Sequence, residues 1–297
     1  MLDGGKAERQ NLPLVSIGMP VYNGGDVLEQ AIESVLSQTF HDFELIISDN
    51  ASSDRTEEIC RRYAAEDSRV CYVRQPRNIG AEQNFVFVME SARTPFFMWA
   101  AADDIRCPEF VEKNYEFLLT HGDFVASTMP TRFAGGGFDS QKMGDRPLDS
   151  DSPAKRVADF FSGWHANGLF YSLFRIDVLR SCPWLGASFL GADWVVVLYL
   201  ASRGKLNRLN CGWVELGRHG VSNSGAIYRR YRHSWLDLFF PFRAMAKAAW
   251  AISSDFAPGF RVRILCSCLK MNCWALSNQL NGALYRHYRL LIGRSSA

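Results

Sequence analysis

Two aspartates stand side by side after an apolar run, PFFMWAAADD (95–104). Adjacent carboxylates repel, so Asp103 and Asp104 require a positive group or a strongly polar ligand between them. Polar residues fall at comparable places elsewhere. Tyr22 and Asn23 close the run LVSIGMPV, Asp49 and Asn50 close FELIIS, and Arg77-Asn78-Ile79-Gly80 follow VCYVRQ. If these runs are strands of one parallel sheet, all four clusters share the rim at the carboxyl ends, where open α/β sheets bind ligands. One aspartate at a strand end is commonly a helix cap; four clusters on one rim point to a site. Neither GxGxxG nor GxxxxGK[ST] is present to cradle phosphates. A divalent cation on one carboxylate can neutralise phosphate instead, leaving the neighbouring carboxylate for a ribose hydroxyl.

These groups need a scaffold, and the spacing predicts one. Strands are expected over 14–22, 43–49, 70–75, 95–101 and 123–131. Helices are expected over 26–40, from Asp54 and Glu57 through about 65, over 81–92 and over 108–122. In the first helix Leu28, Ala31, Ile32, Val35 and Leu36 recur at helical spacing, and Asp26 with Glu29 predicts a capping box. Alternation of this kind implies βαβ units and a mostly parallel sheet flanked by helices. Beyond it come a polar, glycine-rich loop (134–153), a strand (168–175), a helix (193–204) and, from about 226, a helical, aromatic and basic stretch. The expected division is a tail (1–13), a nucleotide-binding half (14–130) and an acceptor half (131–225) of one catalytic domain, and a helical segment (226–297).

Composition narrows the class. A chain of 297 residues with 47% apolar and 22% charged residues supports one large α/β domain and argues against disorder throughout. The net charge of +2 conceals a split. Residues 201–297 hold 15 Lys and Arg against 3 Asp and Glu, and residues 1–200 hold 18 against 28. The basic third suits a phosphate, a nucleic acid or a membrane surface, or it solvates exposed helix faces. The eight cysteines follow no zinc-ligand spacing. No apolar stretch follows MLDGGKAERQ, which predicts no signal peptide, free thiols and a cytoplasmic protein, with the sequon at Asn50 idle. Residues 234–252 are apolar enough to raise the question of a spanning helix. Asp237, Arg243 and Lys247 would cost it roughly 8–10 kcal/mol, and Pro241 adds to the difficulty. An interfacial helix is the remaining membrane option, with RYRHSWLDLFFPFR mixing aromatics and arginines.

MPVYN, SDNASSDRT, RNIGAEQN and AAADD, in this order and spacing, resemble the N-terminal half of the inverting family 2 glycosyltransferases of GT-A (Rossmann-like) fold. The resemblance covers residues 14–130 well and continues more weakly through Asp193 and RHGVSNSG (218–225). It implies transfer of a sugar from a nucleoside diphosphate, a uridine donor first, to a glycan or lipid-linked hydroxyl in surface polysaccharide synthesis. Pro20, Tyr22 and Asn23 would wall the base and ribose. Asp49 would hydrogen-bond the base, and Arg77, Asn78 and Gly80 would border the same pocket. Asp103 would sit nearer the ribose and Asp104 would hold Mg²⁺ or Mn²⁺. The family often carries a further aspartate two residues before the pair; here that position is Ala101.

Inverting transfer is a single in-line displacement at the anomeric carbon. The leaving diphosphate needs its charge stabilised and the acceptor hydroxyl needs a base. By resemblance the base is Asp193, where the family often has Glu-Asp and this chain has Ala192-Asp193. An N-cap of the following helix is the plainer role, and the two are compatible. His219 resembles the histidine that completes the metal site, against a purely structural role. Trp99, Trp164 and Trp194 are either sugar platforms or core. The basic segment 228–297 suits an anionic membrane surface, and no nucleic-acid partner is expected. Two other readings stay open: a sugar-1-phosphate nucleotidyltransferase, though MPVYNGGD lacks the arginine its phosphate loop would carry, and a non-catalytic scaffold that binds nucleotide sugars.

Overall fold

A computed structural model describes residues 12–135, 145–162, 168–217 and 227–293, with 282–293 as backbone only. The first half alternates as expected: β1 (Val15–Val21), α1 (Leu28–Leu36), β2 (Phe43–Asp49), α2 (Thr56–Glu66), β3 (Val70–Arg74), α3 (Ala81–Ser91) and β4 (Phe96–Trp99). There follow β5 (Ile105–Arg106), α4 (Phe110–Thr120), β6 (Phe124–Thr128), β7 (Thr131–Phe133), α5 (Pro153–Phe160), β8 (Leu173–Arg175), α6 (Ile176–Arg180), α7 (Ala192–Arg203), β9 (Lys205–Arg208) and β10 (Val214–Leu216). Four helices close the chain: α8 (Ile227–Arg230), α9 (Leu236–Phe239), α10 (Arg243–Ile252) and α11 (Pro258–Gly293).

Seven strands form one sheet in the order β3-β2-β1-β4-β8-β6-β9. β1 lies between β2 and β4, parallel to both, and every one of its residues is buried. That is why VSIGMPV reads as an unbroken apolar run rather than an alternating one. Only β8 runs antiparallel to its neighbours β4 and β6. The chain winds outward from β1 through β2 to β3, then returns to place β4 on the other side of β1. This reversal opens a crevice beyond the carboxyl ends of β1 and β4, where α/β sheets take ligands. A small sheet, β5-β10-β7, carries the segments that follow β4 and β6.

Close packing fixes the helices over the sheet. A Cβ on Gly18 would lie 2.7 Å from Val88 Cγ2 and 2.8 Å from the Phe97 ring, so α3 approaches β1 only because residue 18 is glycine. Buried Asn84 of α3 accepts from Ser48 Oγ at 2.6 Å and donates to the Ser48 carbonyl at 2.8 Å, tying α3 to β2. α10 and α11 pack on α7 and α5, and Met245, Ile264, Cys268 and Ala275 join the core cluster of α7. The eight cysteines are all free thiols.

Three local expectations change. No capping box forms on α1. The Gly24 carbonyl accepts from the Val27 and Leu28 amides, so a tight turn starts the helix, and Glu29 pairs with Arg62. Residues 168–171 are a 3-10 turn, not strand, because Phe170 must turn to stack on Trp99 at 4.5 Å between ring centroids. β4 stops at Trp99, and Asp103 and Asp104 stand in a turn closed by the Asp104 amide on the Ala101 carbonyl. The stretch 234–252 breaks into α9 and α10 around Pro241. Among the described residues no helix is long and apolar enough to cross a membrane.

Candidate active site

The crevice beyond β1, β2 and β3 is built by loops that clasp one another. After β1, Asn23 has φ +52°, a left-handed backbone that asparagine tolerates better than most residues. That turn lets its amide donate to Ser52 Oγ (2.9 Å) while Asn23 Oδ1 accepts from the Ser53 amide (2.9 Å). Asp54 extends the clasp by accepting from the Gly25 amide (2.9 Å), and it caps α2 by accepting from the Thr56 amide (3.0 Å). Its carboxyl is held below the usual range: the Thr56 and Gly25 donors outweigh the opposing effect of burial. On the other side Asn50 donates to Asn78 Oδ1 (3.0 Å) and to the Gly80 carbonyl (3.2 Å), and accepts from the Ile79 amide (2.7 Å). Gly80 has φ +89° and starts α3. Asn50 is therefore the hub between the second and third loops, a role its neighbour Asp49 concealed in the sequence.

Asp49 is completely buried. It accepts from the Ser52 amide (2.8 Å), the Tyr72 hydroxyl (3.0 Å) and Arg74 Nη1 (2.7 Å), which uses three of about four acceptor positions. Burial first, and the Asp49 charge second, push the Tyr72 hydroxyl well up. Tyr22 is 53% exposed at the mouth. Pro20 is buried in β1, and Arg77 is exposed. Pro20, Tyr22, Asn23, Asp49, Arg77, Asn78 and Gly80 thus share one rim.

Asp103 and Asp104 face different surroundings a few ångströms apart. Asp103 is half-buried and lines a cleft of about 370 Å³ with Gln30, Ile105, Glu215 and Gly217. Asp104 points inward. Its Oδ1 accepts from the Gly217 amide (3.0 Å), while its Oδ2 is buried and receives no hydrogen bond. Arg106 Nη2 lies 3.8 Å from that oxygen, beyond hydrogen-bond distance, and donates instead to the Trp99 carbonyl at 3.0 Å. Burial raises the Asp104 pKa to about 6, against the lowering effects of Arg106 and the Gly217 amide. Gly217 itself cannot carry a side chain, since a Cβ would come 2.1 Å from Asp103 Oδ2 and 2.5 Å from its carbonyl. Two neighbouring carboxylates, one lining the cleft and one with an unsatisfied oxygen, are a donor set that fits Mg²⁺ or Mn²⁺. Among the described residues no group of three or more His, Cys, Asp and Glu is gathered for a metal, and His219 lies outside the described residues.

Asp193 comes from a separate element. It is exposed in the first turn of α7, where the helix dipole favours a carboxylate. The N-cap position belongs to Gly191, at φ +83°, so the capping role expected of Asp193 goes to a glycine. The Tyr171 hydroxyl is pushed far up by burial and then by the charges of Asp104, Asp193 and Asp103. Beside them the Tyr231 hydroxyl, pushed up to about 12 by burial and by Glu82, donates to Glu82 Oε1 at 3.0 Å. Arg106, Tyr171 and Glu82 escaped sequence reasoning. Gly217 was legible only as a glycine flanking His219 in GRHG. Trp99 and Trp194 are 1% and 9% exposed, so both are core and not sugar platforms. Trp164 lies outside the described residues.

Known proteins resemble this chain in sequence and fold. The model of the family described as "Glycosyl transferase family 2" matches residues 16–179. An uncharacterized glycosyltransferase of Methanocaldococcus jannaschii is 33% identical over 113 residues, 37% of this chain and 39% of that one. The putative teichuronic acid biosynthesis glycosyltransferase TuaG of Bacillus subtilis is 34% identical over 107 residues, 36% of this chain and 42% of that one. The matches therefore span less than half of these relatives' lengths. In three dimensions the chain is similar to residues 1–349 of TarS from S. aureus, with a TM-score of 0.64 and 14% identity over 86% of this chain and 70% of that one. It is also similar to the mannosyltransferase PcManGT of Pyrobaculum calidifontis, solved with GDP-Man and Mn²⁺. There the TM-score is 0.54 and the identity 14%, over 95% of this chain and 84% of that one. The fold is GT-A, and a family match across more than half of the chain makes it a member of glycosyl transferase family 2, a transferase.

Proposed function

We propose that the chain is a metal-dependent inverting glycosyltransferase that moves a sugar from a nucleoside diphosphate to the hydroxyl of a glycan or lipid-linked acceptor in surface polysaccharide synthesis. The observation that carries this is the pair Asp103 and Asp104 after β4, one lining the cleft and the other with a buried carboxylate oxygen that receives no hydrogen bond. Structures of TarS contain UDP and UDP-GlcNAc, and that of PcManGT contains GDP-Man and Mn²⁺, which supports a nucleotide-sugar donor, with uridine nucleotides the first to test. TuaG and EpsE of Bacillus subtilis, both glycosyltransferases by name, support an acceptor on a surface polymer through the teichuronic acid in the first name. We keep 14–130 as the nucleotide half, 131–225 as the acceptor half, and 226–297 as a helical segment. A lipid-linked acceptor places the protein in the cytoplasm, against the inner face of the membrane.

The roles proposed for the residues are those the resemblance implies. Tyr22 offers an exposed ring to a base at the mouth, while Pro20 and Asn23 shape the loop beneath it. Asp49, held by Tyr72 and by Arg74, which also pairs with Glu57 at 3.1 Å, would hydrogen-bond the base. Asn78 and Gly80, fixed by Asn50, keep Arg77 at the rim. Asp103 takes a ribose hydroxyl. Asp104 Oδ2 is the oxygen that would hold the cation, with Asp103 beside it and His219 as a further ligand. A bound Mg²⁺ or Mn²⁺ supplies neutralisation of the charge that develops on the leaving diphosphate. Asp193 accepts the proton of the acceptor hydroxyl as that oxygen attacks the anomeric carbon from the face opposite the diphosphate.

The test is release of free nucleoside diphosphate from a panel of donor sugars with Mn²⁺ and acceptor extracts. Diphosphate without pyrophosphate supports transfer. Pyrophosphate would identify a nucleotidyltransferase, and no product from any donor would leave a nucleotide-sugar scaffold.

A further inference from the structure

Helix α11 carries two apolar stripes, and only one of them is covered. Ile264, Cys268 and Ala275 are buried on the side that meets α10 and α5. Val262, Leu265, Leu269 and Leu280 form a second line, 57, 49, 54 and 56% exposed. At about 100° per residue this line is centred about 120° around the helix from the first. The helix has 36 residues, about 54 Å of length, so the line is long. Exposed aromatics adjoin both ends. Trp250 of α10 stacks under Arg261, with the guanidinium 3.8 Å from the ring centroid. Gln279 donates to the Leu238 carbonyl (3.4 Å), which brings α9 with exposed Phe239 next to Leu280. A monomer rarely leaves such a row in water, so the row marks a surface that something covers.

Charge identifies the occupant. Over 258–293 the sequence holds five cations, Arg261, Arg263, Lys270, Arg286 and Arg289, and no Asp or Glu. A second copy seated on the same line would face these cations with its own, and no acid is present to pair across the seam. A nucleic-acid backbone would accept the cations but offers nothing to the leucines. An anionic bilayer accepts both, because the apolar line enters the acyl boundary while lysines and arginines stay among the headgroups. We propose that the outer line of α11 is the docking face for an anionic lipid bilayer, with Val262, Leu265, Leu269 and Leu280 as anchors and Arg263 and Lys270 at the margin. The proposal deepens the lipid-linked acceptor reading and rests on it for its purpose.

Co-sedimentation of the full chain with vesicles tests it. The wild type is expected to pellet with phosphatidylcholine vesicles that contain phosphatidylserine at low salt, and to stay in solution with phosphatidylcholine alone. A Leu265→Glu, Leu269→Glu variant is expected to lose about tenfold or more in partitioning. Its circular dichroism and its release of nucleoside diphosphate from a soluble donor should not change, since both leucines are exposed. Wild type that stays in the supernatant overturns the proposal, as does a variant that pellets like wild type. A dimer seen by sedimentation velocity and abolished by the same substitutions would assign the line to a second copy and also overturn it. Vesicle binding with no turnover of any donor would refute the enzymatic reading while supporting the docking face.

Discussion

Single side chains make the sharpest predictions. Asp193→Asn keeps the size of the group and removes the proposed base, so turnover should fall about 10²–10⁴-fold with little change in donor KM, as read by steady-state kinetics. Gly217→Ala places a methyl where Asp103 already stands. Asp103 must move, and a mid-range overpacking cost of about 1–3 kcal/mol should appear in thermal unfolding together with a weaker Mn²⁺ titration. Asp104 gives a pH-dependent outcome. Its pKa is raised in the folded protein, to about 6 from 3.8, so the native state binds the extra proton between those values and loses stability as pH rises through them. In metal-free buffer Asp104→Asn should therefore raise stability above pH 6 by roughly 2–3 kcal/mol, and the gain should vanish below pH 4. Melting curves across pH check the sign.

At the scale of elements, the site depends on loops holding loops. Asp54 serves α2 as a cap and Gly25 as an acceptor at once. Asp54→Ala should cost about 1–2 kcal/mol near neutral pH and raise donor KM, because the loop after β1 loses its anchor. Since the Asp54 pKa is depressed in the folded state, that cost should shrink as pH falls through it. The C-terminal helices show the same dependence in the core. Buried Asn272 of α11 accepts from the Phe242 amide at 2.9 Å and donates to the Cys268 carbonyl at 2.9 Å. Asn272→Leu would leave that amide unpaired and should cost about 1–3 kcal/mol, readable by urea unfolding.

For the whole molecule, ligand and metal act as folding partners. A nucleoside diphosphate with Mn²⁺ at about 100 times its dissociation constant should stabilise the protein by roughly 2.7 kcal/mol, and a thermal-shift screen over bases ranks the donors. The same screen without Mn²⁺ should give a smaller shift, because buried Asp104 then keeps one oxygen unsatisfied. The +12 charge of residues 201–297 and the uncovered line of α11 belong to this scale as well.

The N-terminal half was legible from sequence alone, because β1 to β4 and their helices are each specified by local pattern: unbroken apolar runs for buried parallel strands and helical spacing between them. The polar clusters at the strand ends followed from the same pattern, since a strand's direction decides which rim its last residue joins. What only the tertiary structure decided were contacts between distant segments. Asp104 finds Gly217 across 113 positions in the chain. The short strands β5, β7 and β10 exist only through pairing with one another. Such strands carry almost no local signal, because two or three residues have no period; their hydrogen bonds appear once the large sheet has brought them together.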